Sequence, residues 1–149
     1  MRRSGAGVVG TVLVGGMVAG ALAGCGPSSP SSAPAPTSAG APLGQVTTAA
    51  DGTQEVTLQT GDDYVFTPDH FTVRPGTVRL TVRNVGRELT HNFLFPDGGG
   101  PAPIGPQIDL LPSGSSKTIT FSVTTPGAYR FECSFHVDLG QVGTMTVGG

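Results

Sequence analysis

Cys133 and His136 lie three residues apart in the stretch FECSFHVDLGQ, where an alternating apolar run ends. A thiol and an imidazole at this spacing suit either a nucleophile with its base or two ligands of a metal site. A cysteine nucleophile also needs an oxyanion site and a third group that orients the base. The neighbouring residues supply neither in a recognisable pattern. The pair therefore favours metal binding over covalent catalysis.

The chain has only three histidines, His70, His91 and His136, and this limits the metal sites that it can build. Zinc usually takes four ligands in a tetrahedral arrangement. The chain offers one such set: His91, Cys133, His136 and Asp138. Structural zinc motifs normally contain paired cysteines, which argues against this set. No second ligand has a useful spacing to His70, so we expect His70 to be structural or solvated.

Copper is the other metal that fits these residues. A type 1 site has two imidazoles and one thiolate in a plane, with a weak axial ligand. His91, Cys133 and His136 supply the plane. Gln141, five residues after His136, offers an amide oxygen as the axial ligand. Met145 is the rival axial ligand, although a methionine in TMTV is more typical of core packing.

The residues between these candidates predict strands. Apolar and polar residues alternate in four runs, 56–59, 78–83, 118–123 and 129–133. A period of two is typical of half-buried strands, and Pro-Gly pairs punctuate the runs as turns. We predict an all-β fold, a Greek-key β-sandwich of about seven or eight strands.

One long insertion, Pro96 to Gly114, interrupts these strands and is rich in glycine and proline. We expect it to cover one end of the sandwich. No convincing helical stretch follows the first 25 residues. The folded domain is predicted to span residues 45–149.

The chain begins with two arginines and a short apolar stretch, Val8 to Ala23, which ends in the sequence LAGC. The stretch is too short for a comfortable transmembrane helix but suits a signal peptide. LAGC resembles the lipobox of bacterial lipoproteins, in which cleavage leaves Cys25 as a lipidated N-terminus. We predict a lipoprotein signal peptide over residues 1–24. An ordinary signal peptide cut nearby is the alternative.

Residues 25–44 are predicted to be the lipidated Cys25 and a disordered tether, because Pro, Ser and Ala dominate this segment and bury little apolar surface. Lipidation of Cys25 would leave Cys133 without a disulfide partner. Outside the cytoplasm a free thiol is oxidised unless it is buried or bound, which argues that Cys133 has a dedicated role. Without the signal, six basic residues face ten acidic ones, and no basic surface suggests nucleic acid as a partner.

Two stretches, THNFLF and PGAYRFECSFHVDLGQVGTMTV, together resemble the cupredoxins. Plastocyanin-like members have His-Asn on one strand and Tyr-x-Phe/Tyr-x-Cys-x-x-His on a later one. The stretch YVFTPDHFTVRPGTVRLTVRNVG is similar to their N-terminal hairpin, so the resemblance covers about residues 53 to 148. One departure is Gln141, where plastocyanin-like members have Met. Stellacyanin-like members have an axial Gln, but with a longer spacing between Cys and His.

The resemblance also implies roles for residues beside the ligands. In the family, the Asn after the first His hydrogen-bonds the cysteine loop, which here pairs Asn92 with the region of Ser134. The second His is the electron's exit, within an apolar patch where redox partners dock. The corresponding apolar residues, Phe135, Val137 and Leu139, suit such a patch and core packing equally well.

Together these features predict a monomeric cupredoxin with one type 1 copper, held outside the cytoplasm on the cell membrane by lipidated Cys25. It would carry single electrons between redox protein partners. Copper storage or delivery is the alternative, although it usually favours exposed Met or His clusters. A copper enzyme needs further histidines, and only His70 is left over. A metal-free interaction module is disfavoured because all three in-plane ligand types are present.

Overall fold

Ten strands make up most of the described part of the chain, residues 42–148, in this computed structural model. Their bounds are β1 (Thr47–Thr48), β2 (Gln54–Thr60), β3 (Phe66–Thr67), β4 (His70–Val73), β5 (Gly76–Asn84), β6 (His91–Phe93), β7 (Ile108–Leu111), β8 (Ser116–Val123), β9 (Gly127–Glu132) and β10 (Val142–Val147). One 3₁₀ turn, Val137–Leu139, lies between β9 and β10. The predicted signal peptide 1–24, Cys25 and the linker up to residue 41 lie outside the described residues.

The first sheet has the order β1-β2-β5-β8, and β3 also pairs with β2. β2 and β5 run parallel, with Leu58 opposite Val82, whereas β5 and β8 run antiparallel, with Leu80 opposite Ile119. β5 alternates buried and more exposed residues along most of its length. This alternation is what the period of two in the sequence predicts.

The second sheet has the order β4-β10-β9, with β4 and β10 parallel and β9 antiparallel to β10. β6 and β7 form a separate antiparallel pair. Leu94, directly after β6, exchanges two backbone hydrogen bonds with Glu132 at the end of β9. This bridge joins the strand that carries His91 to the strand that leads to Cys133.

The core lies between the sheets and is built from both. The first sheet contributes Val56, Leu58, Phe66, Val78, Leu80, Val82, Phe121 and Val123. The opposite side contributes Phe71, Val73, Phe93, Ile108, Leu111, Tyr129, Phe131, Met145 and Val147. Phe131 is fully buried, and its ring centroid lies 5.1 Å from that of Phe93 and 5.5 Å from that of Phe66. Aromatic packing therefore joins the two sheets beneath the end that carries Cys133.

The all-β sandwich is confirmed. Eight of the ten strands have three residues or more, which agrees with the expected seven or eight. The two additional strands, β1 and β3, have two residues each. Among residues 42–148 no helix is long and apolar enough to cross a membrane.

Two local predictions need correction. The stretch from Tyr64 to Gly86 is not a hairpin, because β4 pairs with β10 in one sheet and β5 with β2 and β8 in the other. The chain changes sheets at Pro75, where the Gln54 side chain hydrogen-bonds both the N–H and the carbonyl of Arg74. The insertion Pro96 to Gly114 contains a strand, β7, which pairs with β6.

Candidate metal centre

The candidate ligands come from three places at one end of the sandwich. His91 begins β6, and its backbone partner is Leu111 of β7. Cys133 directly follows β9, and Gln141 directly precedes β10. His136 lies between them and begins the 3₁₀ turn. A strand end therefore holds each of the residues except His136, which depends on the loop.

The loop from Cys133 to Gln141 is closed by its own backbone. The N–H of Cys133 donates to the Gln141 carbonyl at 3.0 Å, and the N–H of Gln141 donates to the His136 carbonyl at 3.2 Å. The N–H of His136 donates to the Cys133 carbonyl at 3.1 Å. Gly140 ends the turn at φ 89°, a left-handed conformation that glycine adopts without a steric cost. Three candidate ligands are thus connected by main-chain hydrogen bonds.

The side chains of these residues converge. One ligand atom from each of His91, Cys133 and His136 lies within 4.8 Å of the other two. Cys133 Sγ is 3.5 Å from His136 Nδ1 and 3.9 Å from His91 Nδ1. Gln141 Oε1 is 3.0 Å from the Nδ1 atom of each histidine. The structure therefore brings all four sequence-predicted ligands to one point.

Asn92 connects the two sides of this point. Its side-chain nitrogen donates to Ser134 Oγ at 2.7 Å, and its Oδ1 accepts from the Ser134 N–H at 2.8 Å. Its backbone N–H lies 3.4 Å from Cys133 Sγ and donates to it. A donor to the sulfur stabilises the thiolate form, which is the form that binds metals.

His91 is held in a form that suits metal binding. Its side chain is fully buried, and Nε2 has no hydrogen-bond partner of ordinary geometry among residues 42–148. Burial of the imidazole lowers the pKa of His91 below its ordinary value, and nearby His136 lowers the pKa further. The hydrogen bond to Gln141 has the opposite effect but is outweighed. The neutral ring, with a lone pair available for a metal, is therefore favoured near neutral pH.

The donor set fits copper. With the ring protons on Nε2, both Nδ1 lone pairs, the Cys133 sulfur and the Gln141 oxygen face one another as electron-pair donors. Such an arrangement, largely buried, needs a cation or extra protons to be stable. One thiolate, two imidazoles and a weak oxygen donor form the set that suits type 1 copper.

The two alternative candidates lie elsewhere. Met145 is fully buried in β10 among the core residues, opposite Phe71 and Tyr129 in the strand register. His70 starts β4, its side chain is 85% exposed, and its Nδ1 lies 2.7 Å from Asp69 Oδ1. Gln141, by contrast, is fully buried, and its side-chain nitrogen donates to Thr60 Oγ1 at 2.6 Å.

Apolar side chains are exposed on the loop beside His136, and Asp138 is exposed among them. Phe135 and Leu139 are exposed to 51% and 60%, whereas Val137 is half-buried. The ring of Tyr64 packs against that of His136 with centroids 5.0 Å apart. Phe135 and Leu139 are therefore surface residues around His136 and not core residues.

Sequence reasoning missed three residues that contact or support the site: Thr60, Asp62 and Tyr64. Thr60 shares its face of β2 with Val56 and Leu58. A polar residue at this core-facing position is the one sequence feature that could have indicated Thr60. Asp62 accepts hydrogen bonds from the N–H groups of Arg87, Glu88 and Leu89, ahead of His91. No pattern near Asp62 or Tyr64 indicates these contacts.

Known proteins match this chain over the region described. The family model of the cupredoxin-like domain matches residues 35–147. The chain is 33% identical over 99 residues to the chloroplastic plastocyanin minor isoform of Arabidopsis thaliana. The alignment covers 62% of this chain and 57% of that protein, which is less than two thirds of its length. It is 34% identical over 100 residues to plastocyanin of Vicia faba, covering 62% of this chain and 98% of that one.

A solved structure agrees with these matches. Dithionite-reduced auracyanin from the photosynthetic bacterium Roseiflexus castenholzii aligns with 25% identity and a TM-score of 0.55, covering 69% of this chain and 100% of the auracyanin chain. The matched family region contains His91, Cys133, His136 and Gln141. The chain belongs to the cupredoxin-like family, as a plastocyanin-like cupredoxin.

Proposed function

We propose that this protein is an electron carrier that holds one type 1 copper through His91, Cys133, His136 and Gln141. The observation that carries the proposal is the convergence of a thiol, two imidazole Nδ1 atoms and an amide oxygen at one buried point. Plastocyanin-like cupredoxins bind one copper, and membership of that family supports the same metal here. When bound, copper supplies a one-electron couple between the cuprous and cupric states.

The residues would divide the work by position. His91, Cys133 and His136 would bind the metal through two imidazole nitrogens and a thiolate, and Gln141 would add a weaker oxygen donor. The N–H of Asn92 donates to Cys133 Sγ at 3.4 Å, which would stabilise the thiolate and restrain the position of the sulfur.

Fast electron transfer requires a site that rearranges little between its two charge states. The backbone bonds that close residues 133–141 and the two hydrogen bonds between Asn92 and Ser134 restrain the loop that carries three of the candidate ligands. Fully buried Phe93 and Phe131 form the packed layer beneath β6 and β9, which limits backbone motion and excludes water. These features favour electron transfer over chemistry on a substrate.

His136 would be the route by which electrons enter and leave. It is only partly buried, whereas His91 and Cys133 are fully buried. The exposed rings and side chains of Phe135 and Leu139 beside it offer an apolar surface for a redox protein.

We further propose that the protein works outside the cytoplasm as a monomer, anchored to the cell membrane by lipid on Cys25. The sequence LAGC after a short apolar stretch supports this anchor, and the chain between Cys25 and residue 42 would be the tether. The predicted linker ends earlier than residue 44, because Leu43 forms a bridge with Thr57 of β2. Mass spectrometry of the protein from its own cells should find lipid on Cys25. A Cys25→Ser variant should lose the lipid and the membrane fraction, and a soluble, unlipidated wild type would refute the anchor.

Copper storage or delivery is the second candidate, and the geometry disfavours it. Delivery requires the metal to exchange with a partner, but three of the four ligands, His91, Cys133 and Gln141, are fully buried and the loop is closed. A slow loss of copper to a strong chelator would favour electron transfer. Rapid loss would favour delivery.

The decisive experiment is titration of the purified, reduced protein with Cu(II). An intense visible thiolate-to-copper charge-transfer band should saturate at one equivalent, with a reversible one-electron couple in voltammetry. Cys133→Ser should abolish the band, and His91→Ala and His136→Ala should weaken binding. His70→Ala is the matched control. His70 is exposed, so its replacement should leave the spectrum unchanged. No band in the wild type, or bleaching only by His70→Ala, would overturn the assignment.

A further inference from the structure

Thr60 is a polar residue at a core-facing position. In β2 the residues Val56, Leu58 and Thr60 share one face, and Val56 and Leu58 are buried core residues. Thr60 is itself only 2% exposed. A buried hydroxyl among apolar side chains needs a hydrogen-bond partner, since an unpaired one is costly.

The partner of Thr60 is Gln141. The Gln141 Nε2 donates to Thr60 Oγ1 at 2.6 Å, while Gln141 Oε1 lies 3.0 Å from the Nδ1 atoms of His91 and His136. The two ends of one amide therefore have opposite tasks. Its oxygen faces the candidate metal position, and its nitrogen faces away from it.

The orientation of this amide decides what Gln141 can do. An amide oxygen has lone pairs for a cation, whereas the amide NH₂ group has only donors and cannot ligate one. Reversal of the amide would turn the NH₂ group toward the histidines. We propose that Thr60 is a positioning residue that accepts the Gln141 amide N–H and so keeps the Gln141 oxygen directed at the metal. The inference rests on the proposed function.

Thr60 is well placed for this task because its own backbone is fixed on two sides. It pairs with Asn84 of β5 and with Phe66 of β3. Its carbonyl also accepts the N–H of Val85 at 2.8 Å. The acceptor for the amide is thus supplied by the first sheet, whereas Gln141 directly precedes β10 of the second sheet.

The test compares Thr60→Val with Thr60→Ser in the copper-loaded protein. Val keeps the shape but removes the acceptor, so the amide turns or withdraws to satisfy its N–H, and the cupric state loses a hard oxygen donor. The potential should therefore rise and the cupric electron paramagnetic resonance spectrum should change. Thr60→Ser keeps the hydroxyl acceptor, so it should keep the potential and the spectrum of the wild type. Thr57→Val is the matched control, because Thr57 is also buried, with 4% exposure, but lies on the opposite face of β2 from Thr60.

A second background isolates the mechanism. In Gln141→Met there is no amide to position, so adding Thr60→Val should cause no further shift in potential. An equal shift in both backgrounds, or wild-type potential and spectrum in Thr60→Val, would overturn the inference while the blue band still supported the copper site. Absence of the band in the wild type would overturn both.

A measurement on the wild type remains informative if Thr60→Val does not fold. In the diamagnetic cuprous protein, the Nε2 protons of Gln141 can be followed by nuclear magnetic resonance. A hydrogen bond to a buried hydroxyl should slow the exchange of one of them with water relative to the side-chain amide of exposed Gln45. Equally fast exchange in both glutamines would overturn the inference.

Discussion

Asn92 and Ser134 hydrogen-bond each other twice, through the Asn92 side chain at 2.7 Å to Oγ and at 2.8 Å from the Ser134 N–H. The backbone N–H of the same Asn92 donates to Cys133 Sγ at 3.4 Å. One residue of β6 therefore holds the loop that follows β9 by three contacts. None of these contacts requires a metal, so the protein itself supplies much of the order of the site.

Asn92→Ala should destabilise the protein and loosen this loop. It removes both side-chain bonds and leaves the N–H of Ser134 without its acceptor, a loss of about 1–3 kcal/mol in the free energy of unfolding. Ser134→Ala removes only the Oγ acceptor, so it should cost less. Urea denaturation of the purified variants measures both. Equal stability of Asn92→Ala and the wild type would show that water replaces the bonds fully.

Asp62 should make the stability of the loop before His91 depend on pH. Its carboxylate accepts hydrogen bonds from the backbone N–H groups of Arg87, Leu89 and Glu88. These bonds hold the pKa of Asp62 below its ordinary 3.8, and the bond from Arg87 has the largest effect. A lowered folded-state pKa stabilises the fold above the unfolded value, and this contribution disappears as the pH falls through the folded value.

Asp62→Asn should therefore be less stable than the wild type at pH 7, and the difference should shrink as the pH falls below about 3.8. Asp63→Asn is the control, because Asp63 is exposed and its carboxylate accepts one long hydrogen bond within residues 42–148, from the N–H of Val65 at 3.4 Å. Denaturant curves without added metal at several pH values measure the difference. A gap that stays constant down to pH 2 would contradict the role assigned to the carboxylate.

Phe131 should be one of the costliest side chains to remove. It is fully buried, and its ring packs against Phe66, Phe71 and Phe93. Phe131→Ala should lower the free energy of unfolding by about 3–5 kcal/mol through lost burial and the cavity left behind. Phe135→Ala is the matched control in the same segment. Phe135 is 51% exposed, so its loss should change stability by no more than about 0.5 kcal/mol.

The sequence predicted the sandwich and the candidate ligands because both leave local marks. Alternation in residues 78–83 and 118–123 corresponds to β5 and β8, and Cys133, His136 and Gln141 share one short loop. His91 could be found only because the chain has so few histidines. Its approach to that loop depends on the bridge between Leu94 and Glu132, which no local pattern indicates.

The missed features depend on contacts distant in sequence. β7 has a short apolar stretch inside a glycine-rich insertion, and its pairing with β6 decides that it is a strand. The supposed hairpin failed because adjacent strands β4 and β5 find their partners in different sheets. Thr60 reaches Gln141 across 81 positions of the chain. Propensity and periodicity describe each strand but not its partner, which packing selects.

Gln141 and Met145 are the two candidates for the axial position, and the structure separates their surroundings. The amide oxygen of Gln141 lies 3.0 Å from each histidine Nδ1 atom, whereas Met145 is a buried core residue. An oxygen donor is harder than a thioether and favours the cupric state. Gln141→Met should therefore raise the reduction potential and keep the blue band, since the His₂Cys plane is unchanged.

Met145→Leu should leave the potential nearly unchanged. Leu and Met are close in volume, so the substitution should cost less than about 1.5 kcal/mol of stability and leave the His₂Cys plane untouched. Cyclic voltammetry of the two variants, loaded with one equivalent of copper, compares them directly. A shift in Met145→Leu with none in Gln141→Met would make Met145 the axial ligand. The amide of Gln141 would then serve only to hold the ligand loop against Thr60 at the end of β2.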